Sequence, residues 1–136
     1  MESSECRKLK IICLHGIYNN IRVMKYQMDY YEYIFRDVAE FHYVQAEKEH
    51  KEVFDKQIQK KFKGDRFYSW MYQDENNSYM QSIIDSTHRV AEYMNQHGPF
   101  DGCIGFSQGG FILRCLLKAA EIPFKIAQPL HTPSFC

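Results

Sequence analysis

The chain has 136 residues, 45% of them hydrophobic, with 17 basic and 17 acidic side chains. That length supports one domain, able to bury roughly two-thirds of its unfolded surface, while zero net charge and the mixed signs from Lys48 to Lys63 argue against a nucleic-acid partner. The opening MESSECRKLK lacks the apolar core of a signal peptide and no stretch approaches membrane-spanning length, so a cytoplasmic protein without a membrane span is expected.

Leu9 to Leu14 (LKIICL) is a short apolar run closed by His15-Gly16, the pattern of a buried parallel strand. Met24, Met28, Tyr31, Phe35 and Val38 then recur at helical spacing, and Phe41 to Ala46 predicts a second strand. Glu47 to Asn77 is polar, with apolar points at Val53, Phe54, Ile58 and Phe62, and is expected to be a surface excursion with some helix. Ser78 opens an amphipathic helix with Met80, Ile83, Ile84, Thr87, Val90, Ala91 and Met94 on one face. Gly98-Pro99 ends it, the glycine as a left-handed cap. Phe100 to Phe106 predicts a third strand, Phe111 to Ala120 a helix and Phe124 to Ala127 a fourth strand, before an irregular tail at 128–136. Strands alternating with helices imply an α/β fold with about four parallel strands and flanking helices. The doubly wound pattern orders the strands second, first, third, fourth.

Cys6, Cys13, Cys103, Cys115 and Cys136 form no CxxC pair and no His-Cys cluster with zinc-ligand spacing. Cys13, Cys103 and Cys115 are expected in the core as small apolar residues. Neither a metal nor a cofactor is indicated.

The strongest chemical signal is Gly105-Phe106-Ser107-Gln108-Gly109, a G-x-S-x-G segment between a strand and an apolar helix. A serine on so tight a turn is held clear of the sheet at a helix N-terminus, where N–H groups and the helix dipole favour negative charge. Gly105 and Gly109 leave room for strand and helix to approach. An oxyanion hole needs two converging N–H donors. Here these are Gln108, next to the nucleophile, and Ile17, in the loop after the first strand. His15 is tied to that loop and is expected to shape it rather than act as base.

His97 to Gly110 (HGPFDGCIGFSQGG) resembles the GPFDGxxGFSQG block of the FSH-type (family of serine hydrolases) proteins. Lys10 to Gly16 (KIICLHG) is similar to that family's opening strand and loop, and Tyr68-Ser69-Trp70 resembles its tryptophan segment. The resemblance spans about residues 8 to 127. It implies an α/β-hydrolase fold, a Ser-Asp-His triad and hydrolysis of carboxylic esters or related acyl compounds.

Three departures set limits on that implication. Gln45-Ala46-Glu47 stands where relatives commonly have D-A-P, and Ile17 to Asn20 lacks their glutamine-asparagine pair. The family draws its acid and its histidine from beyond the fourth strand, whereas after Ser107 this chain has one carboxylate, Glu121, and one histidine, His131. Pro129-Leu130-His131 resembles a family segment whose histidine is not catalytic, so His131 is only a substitute candidate for the base. His42, His50, His88 and His97 are expected to be solvated or satisfied in the core.

The expectation is therefore one incomplete α/β-hydrolase domain over 1–136, truncated before the rest of the triad. Its expected function is that of a carboxylic-ester hydrolase with Ser107 as nucleophile. The alternative is a catalytically incomplete binding or interaction module. An outer strand left unpaired would also favour self-association through the sheet edge.

Overall fold

A computed structural model of the chain describes residues 6–51, 53 and 55–121. The apolar run forms strand β1 (Leu9–Leu14), and helix α1 (Ile21–Phe35) returns the chain to strand β2 (Ala39–Val44). The excursion contains strand β3 (Lys48–His50), the short helix α2 (Lys56–Lys61) and strand β4 (Phe67–Ser69). Helix α3 (Met80–His97), strand β5 (Gly102–Gly105) and helix α4 (Gln108–Glu121) follow. The parallel sheet runs β2-β1-β5, with β1 paired on both sides, and β3 with β4 forms a separate antiparallel pair. The fold is the α/β one expected, with the first three strands in the expected order. The fourth strand, Phe124 to Ala127, lies outside the described residues.

Alternation along β1 sends its side chains to both faces of the sheet. Ile12 and Leu14 join Val44, Trp70, Val90, Phe100, Ile112, Leu113 and Leu116 in the larger core, under α3 and α4. Cys13, with Ile11, Phe41 and Tyr43, packs against Met24 and Met28 of α1 on the other face. Both faces are covered, as a parallel sheet requires. Asn20 starts α1 by accepting a hydrogen bond from the Val23 N–H at 2.8 Å through its side-chain oxygen, a standard N-cap that sets where the loop after β1 ends.

Several boundaries and faces differ from the sequence reading. The second strand begins two residues earlier, at Ala39, and ends at Val44. Tyr31 and Phe35 of α1, and Val38 beyond it, are exposed, because α1 meets the sheet along Met24, Met28 and Glu32 instead. Helix α3 turns inward along Ser82, Ser86 and Val90, leaving Met80 and Ile84 exposed. Its serines face backbone rather than apolar groups. Ser82 Oγ donates to the Tyr72 carbonyl and accepts from the Tyr72 N–H, and Ser86 Oγ donates to the Trp70 carbonyl at 2.6 Å. Gly98 is extended (φ −73°, ψ −175°), not left-handed, and its N–H closes α3 on the Met94 carbonyl. Cys103 is exposed rather than core, because β5 is the outer strand among the described residues.

Candidate active site

The site is built where β5 turns into α4. The Phe106 N–H continues the ladder past β5 by donating to the Leu14 carbonyl at 3.1 Å. At Ser107 the backbone reverses through the left-handed region, with φ +50°. The Gly109 N–H then reaches the Phe106 carbonyl at 2.9 Å and the Phe111 N–H the Ser107 carbonyl at 3.1 Å, which starts the helix. A non-glycine residue in that region costs about 1–2 kcal/mol and persists only where its surroundings impose it.

Close packing imposes it here. A Cβ on Gly109 would lie 2.4 Å from the Leu14 carbonyl oxygen and 2.6 Å from that of His15. One on Gly105 would lie 2.5 Å from the backbone of Gly110. Helix α4 thus begins in contact with the ends of both β1 and β5. Ser107 is left exposed at the helix N-terminus, where the first N–H groups, that of Gln108 among them, have no intrahelical acceptor.

Facing this turn is the loop from His15 to Asn20. Ile17 is half-buried and Tyr18 is left-handed, with φ +47°. Among the described residues neither the Ile17 nor the Gln108 backbone N–H donates to a protein acceptor. His15 is fully enclosed. Its Nε2 accepts from the Ala46 N–H at 3.0 Å, so the ring proton sits on Nδ1, which donates to the Gly16 carbonyl at 2.7 Å. Burial lowers its pKa to about 4, opposed in part by the bond to Gly16. His15 is therefore neutral near pH 7, with both nitrogens engaged and neither free for Ser107.

A third element holds the other two; the resemblance at Tyr68-Ser69-Trp70 marks it in the sequence without disclosing this role. Trp70, fully buried, follows β4 and donates from its indole Nε1 to the His15 carbonyl at 2.8 Å. The Gln108 side chain accepts from the Trp70 and Met71 N–H groups at 3.0 and 3.2 Å and donates to the Met71 carbonyl at 3.2 Å. Asn19 and Tyr68 exchange two backbone bonds, at 2.8 and 3.2 Å. Residues 68–71 are thus bonded both to the loop after β1 and to the first residue of α4. The available sequence signal was a lone tryptophan, the only one in the chain, within a polar stretch.

The structure brings the turn that holds Gly105, Ser107, Gln108 and Gly109 against His15 and Gly16 at the end of β1. Glu121 ends α4, roughly 20 Å along the helix from Ser107 at 1.5 Å per residue. His131 lies outside the described residues. Among the described residues no histidine or carboxylate hydrogen-bonds the Ser107 hydroxyl, no cluster of His, Cys, Asp and Glu could hold a metal, and no helix is long and apolar enough to cross a membrane.

Comparison with known proteins bears on the same segment. The family described as serine hydrolase (FSH1) matches residues 1–133. Hydrolase FUB4 of Fusarium oxysporum f. sp. lycopersici is 31% identical over 132 residues, which cover 93% of this chain and 47% of that protein. Esterase C25G4.2 of Caenorhabditis elegans is 25% identical over 124 residues, covering 85% of this chain and 52% of its own. A Schizosaccharomyces pombe protein named dihydrofolate reductase is 30% identical over 141 residues, but these are only 30% of that protein. The chain spans about half the length of the first two relatives.

Proposed function

Because the chain belongs to the serine hydrolase (FSH1) family, we propose that it is a carboxylic-ester hydrolase acting on a small or medium acyl ester, with Ser107 as nucleophile. One observation carries this reading. Ser107 is a non-glycine residue in the left-handed region, exposed on a strand-to-helix turn whose glycines leave no room for side chains. Strain of that kind is kept where a side chain must be presented.

In the proposed reaction Ser107 Oγ attacks the acyl carbon while its proton passes to a base. The carbonyl electron pair moves onto oxygen, and the Ile17 and Gln108 N–H groups hold the resulting oxyanion. Collapse of the tetrahedral species expels the alcohol, which takes the proton, and water then releases the acid from the acyl-enzyme by the same route. The base is required because a serine hydroxyl is a poor nucleophile at its own pKa. His131 is the substitute candidate. We take residues 1–136 as one domain for this chemistry.

The second reading is a binding or interaction module without turnover. The lack of a histidine or carboxylate partner for the Ser107 hydroxyl among the described residues favours it. Hydrolysis of p-nitrophenyl esters by the chain, by Ser107→Ala and by His131→Ala separates the two. Activity lost in Ser107→Ala supports the hydrolase, and loss in His131→Ala as well assigns the base. Ester turnover equal in the chain and in Ser107→Ala would leave only the binding reading.

A further inference from the structure

Resting on the reading of Ser107 as nucleophile, we propose that His15 is a positioning residue for the oxyanion donor of Ile17, held in place by Trp70 and Gln108. The peptide unit between Gly16 and Ile17 carries both the Gly16 carbonyl and the Ile17 N–H. Among the described residues the Gly98–Pro99 bond alone is cis, so this unit is trans and its carbonyl and N–H point in opposite directions. The bond from His15 Nδ1 to the Gly16 oxygen, at 2.7 Å, therefore fixes where the Ile17 N–H aims. It also polarises the peptide, because a hydrogen bond accepted at the carbonyl strengthens the donor at the other end.

The ring cannot turn to a second arrangement without loss. Its Nε2 is committed to the Ala46 N–H just past β2, and its centroid lies 5.2 Å from that of the Trp70 ring, the two planes tilted by 34°. Trp70 in turn holds the His15 carbonyl through its indole N–H, and its own backbone N–H is bonded to the Gln108 side chain. Gln108 thus supplies the second donor from its backbone while its side chain secures the histidine that aims the first. The two donors are tied to each other through buried groups rather than through the substrate. That is the preorganisation electrostatic stabilisation of an oxyanion needs.

The consequence is a specific tautomer with a specific effect on rate. In the full chain labelled with nitrogen-15, His15 is expected to carry its proton on Nδ1 with Nε2 unprotonated. A ring found protonated on Nε2 at neutral pH overturns the proposal without the need for any variant. The second arm measures the rate at which a fluorophosphonate phosphonylates Ser107 in the chain, in His15→Phe, which keeps a ring beside Trp70, and in His15→Gln, which can restore one bond.

A fall of about tenfold to a hundredfold in His15→Phe, with partial rescue in His15→Gln, is expected. It lies below the roughly 10²–10³ that loss of a whole donor costs. Equal rates in all three, with the tautomer as expected, reduce His15 to a structural role and overturn the proposal. If the wild-type chain is not phosphonylated at Ser107, the hydrolase reading itself falls and takes this proposal with it. The tautomer then still reports on the His15 bonds, so the two failures are distinguishable.

Discussion

Acidification should weaken the fold through His15, by an amount the structure allows to be worked out. Burial lowers the His15 pKa from 6.5 to about 4, with the Gly16 carbonyl acting in the opposite sense. Between those values the unfolded chain binds a proton that the native ring refuses, so unfolding is favoured as pH falls. The contribution of neutral His15 is complete above about pH 6.5 and is lost progressively down to about pH 4. At 1.36 kcal/mol for each unit, a difference of about 2.5 units amounts to about 3 kcal/mol. That is a large share of the 5–15 kcal/mol typical of a folded domain. Urea unfolding followed by far-ultraviolet circular dichroism across this window, in the chain and in His15→Gln, isolates the effect, since the other histidines are common to both. His50, lowered in the same direction by burial and by Lys48, titrates equally in the two. The slope should be clearly steeper in the wild-type chain. Equal slopes would show that His15 is not held neutral, and the bonding assigned to its ring would be wrong.

Other perturbations test the elbow and its surroundings. Ser107→Gly should be more stable than Ser107→Ala by about 1 kcal/mol in thermal unfolding, because glycine occupies the left-handed region without strain; equal stabilities would argue against the strained turn. Gly109→Ala should destabilise by about 3 kcal/mol or fail to fold, since its Cβ would meet the backbone oxygens of Leu14 and His15; a variant as stable as wild type would contradict the close approach of α4 to β1. Pairing with Arg7, and then the Lys10 N–H, hold the Asp101 carboxyl down to about 2 against the opposing effect of its burial, so this contribution is present above about pH 3.8 and lost towards about pH 2. Asp101→Asn should flatten the acid limb of the stability curve in that window, and an unchanged limb would refute the assignment. Ile104, Phe106 and Phe111 are exposed on β5, the elbow and α4, and β5 is the outer strand among the described residues. The chain should therefore self-associate with rising concentration in light scattering, whereas a monodisperse monomer would count against it.

Particular residues show how far the sequence could be read. β1 and the helix ending at His97 were legible because unbroken apolar runs, helical periodicity and a Gly-Pro stop are local signals. The turn at Ser107 was legible because its G-x-S-x-G pattern is local and Gly105 answers a steric demand from Gly110, five residues on, although the demand on Gly109 comes from the distant Leu14 and His15 carbonyls. The inward face of α3 was legible in part: Val90 is in the core with Ile83, Ala91 and Met94 packed against it, but the two buried serines were not foreseen. Ser82 and Ser86 face inward because the 70–72 segment presents backbone carbonyls there, and apolar periodicity does not register a hydroxyl that satisfies a distant carbonyl. Trp70 was missed as the link between loop and helix for a related reason. Its partners, His15 and Gln108, lie 55 and 38 residues away, and side chain-to-backbone bonds of that span leave no periodic trace. Tyr31 and Phe35 matched a helical stripe, yet periodicity cannot tell whether another element lies over it. Their exposure follows from what packs on α1, not from its own sequence.

Whether Ser107 is a nucleophile is decided most directly by the site of covalent modification. The purified chain is incubated with a fluorophosphonate, its intact mass is recorded and the adduct is located by peptide fragmentation. One adduct, on Ser107 and absent in Ser107→Ala, is the expected result. Modification that persists undiminished in Ser107→Ala, or a chain that remains unmodified after prolonged incubation, would contradict the assignment of Ser107 as the nucleophile.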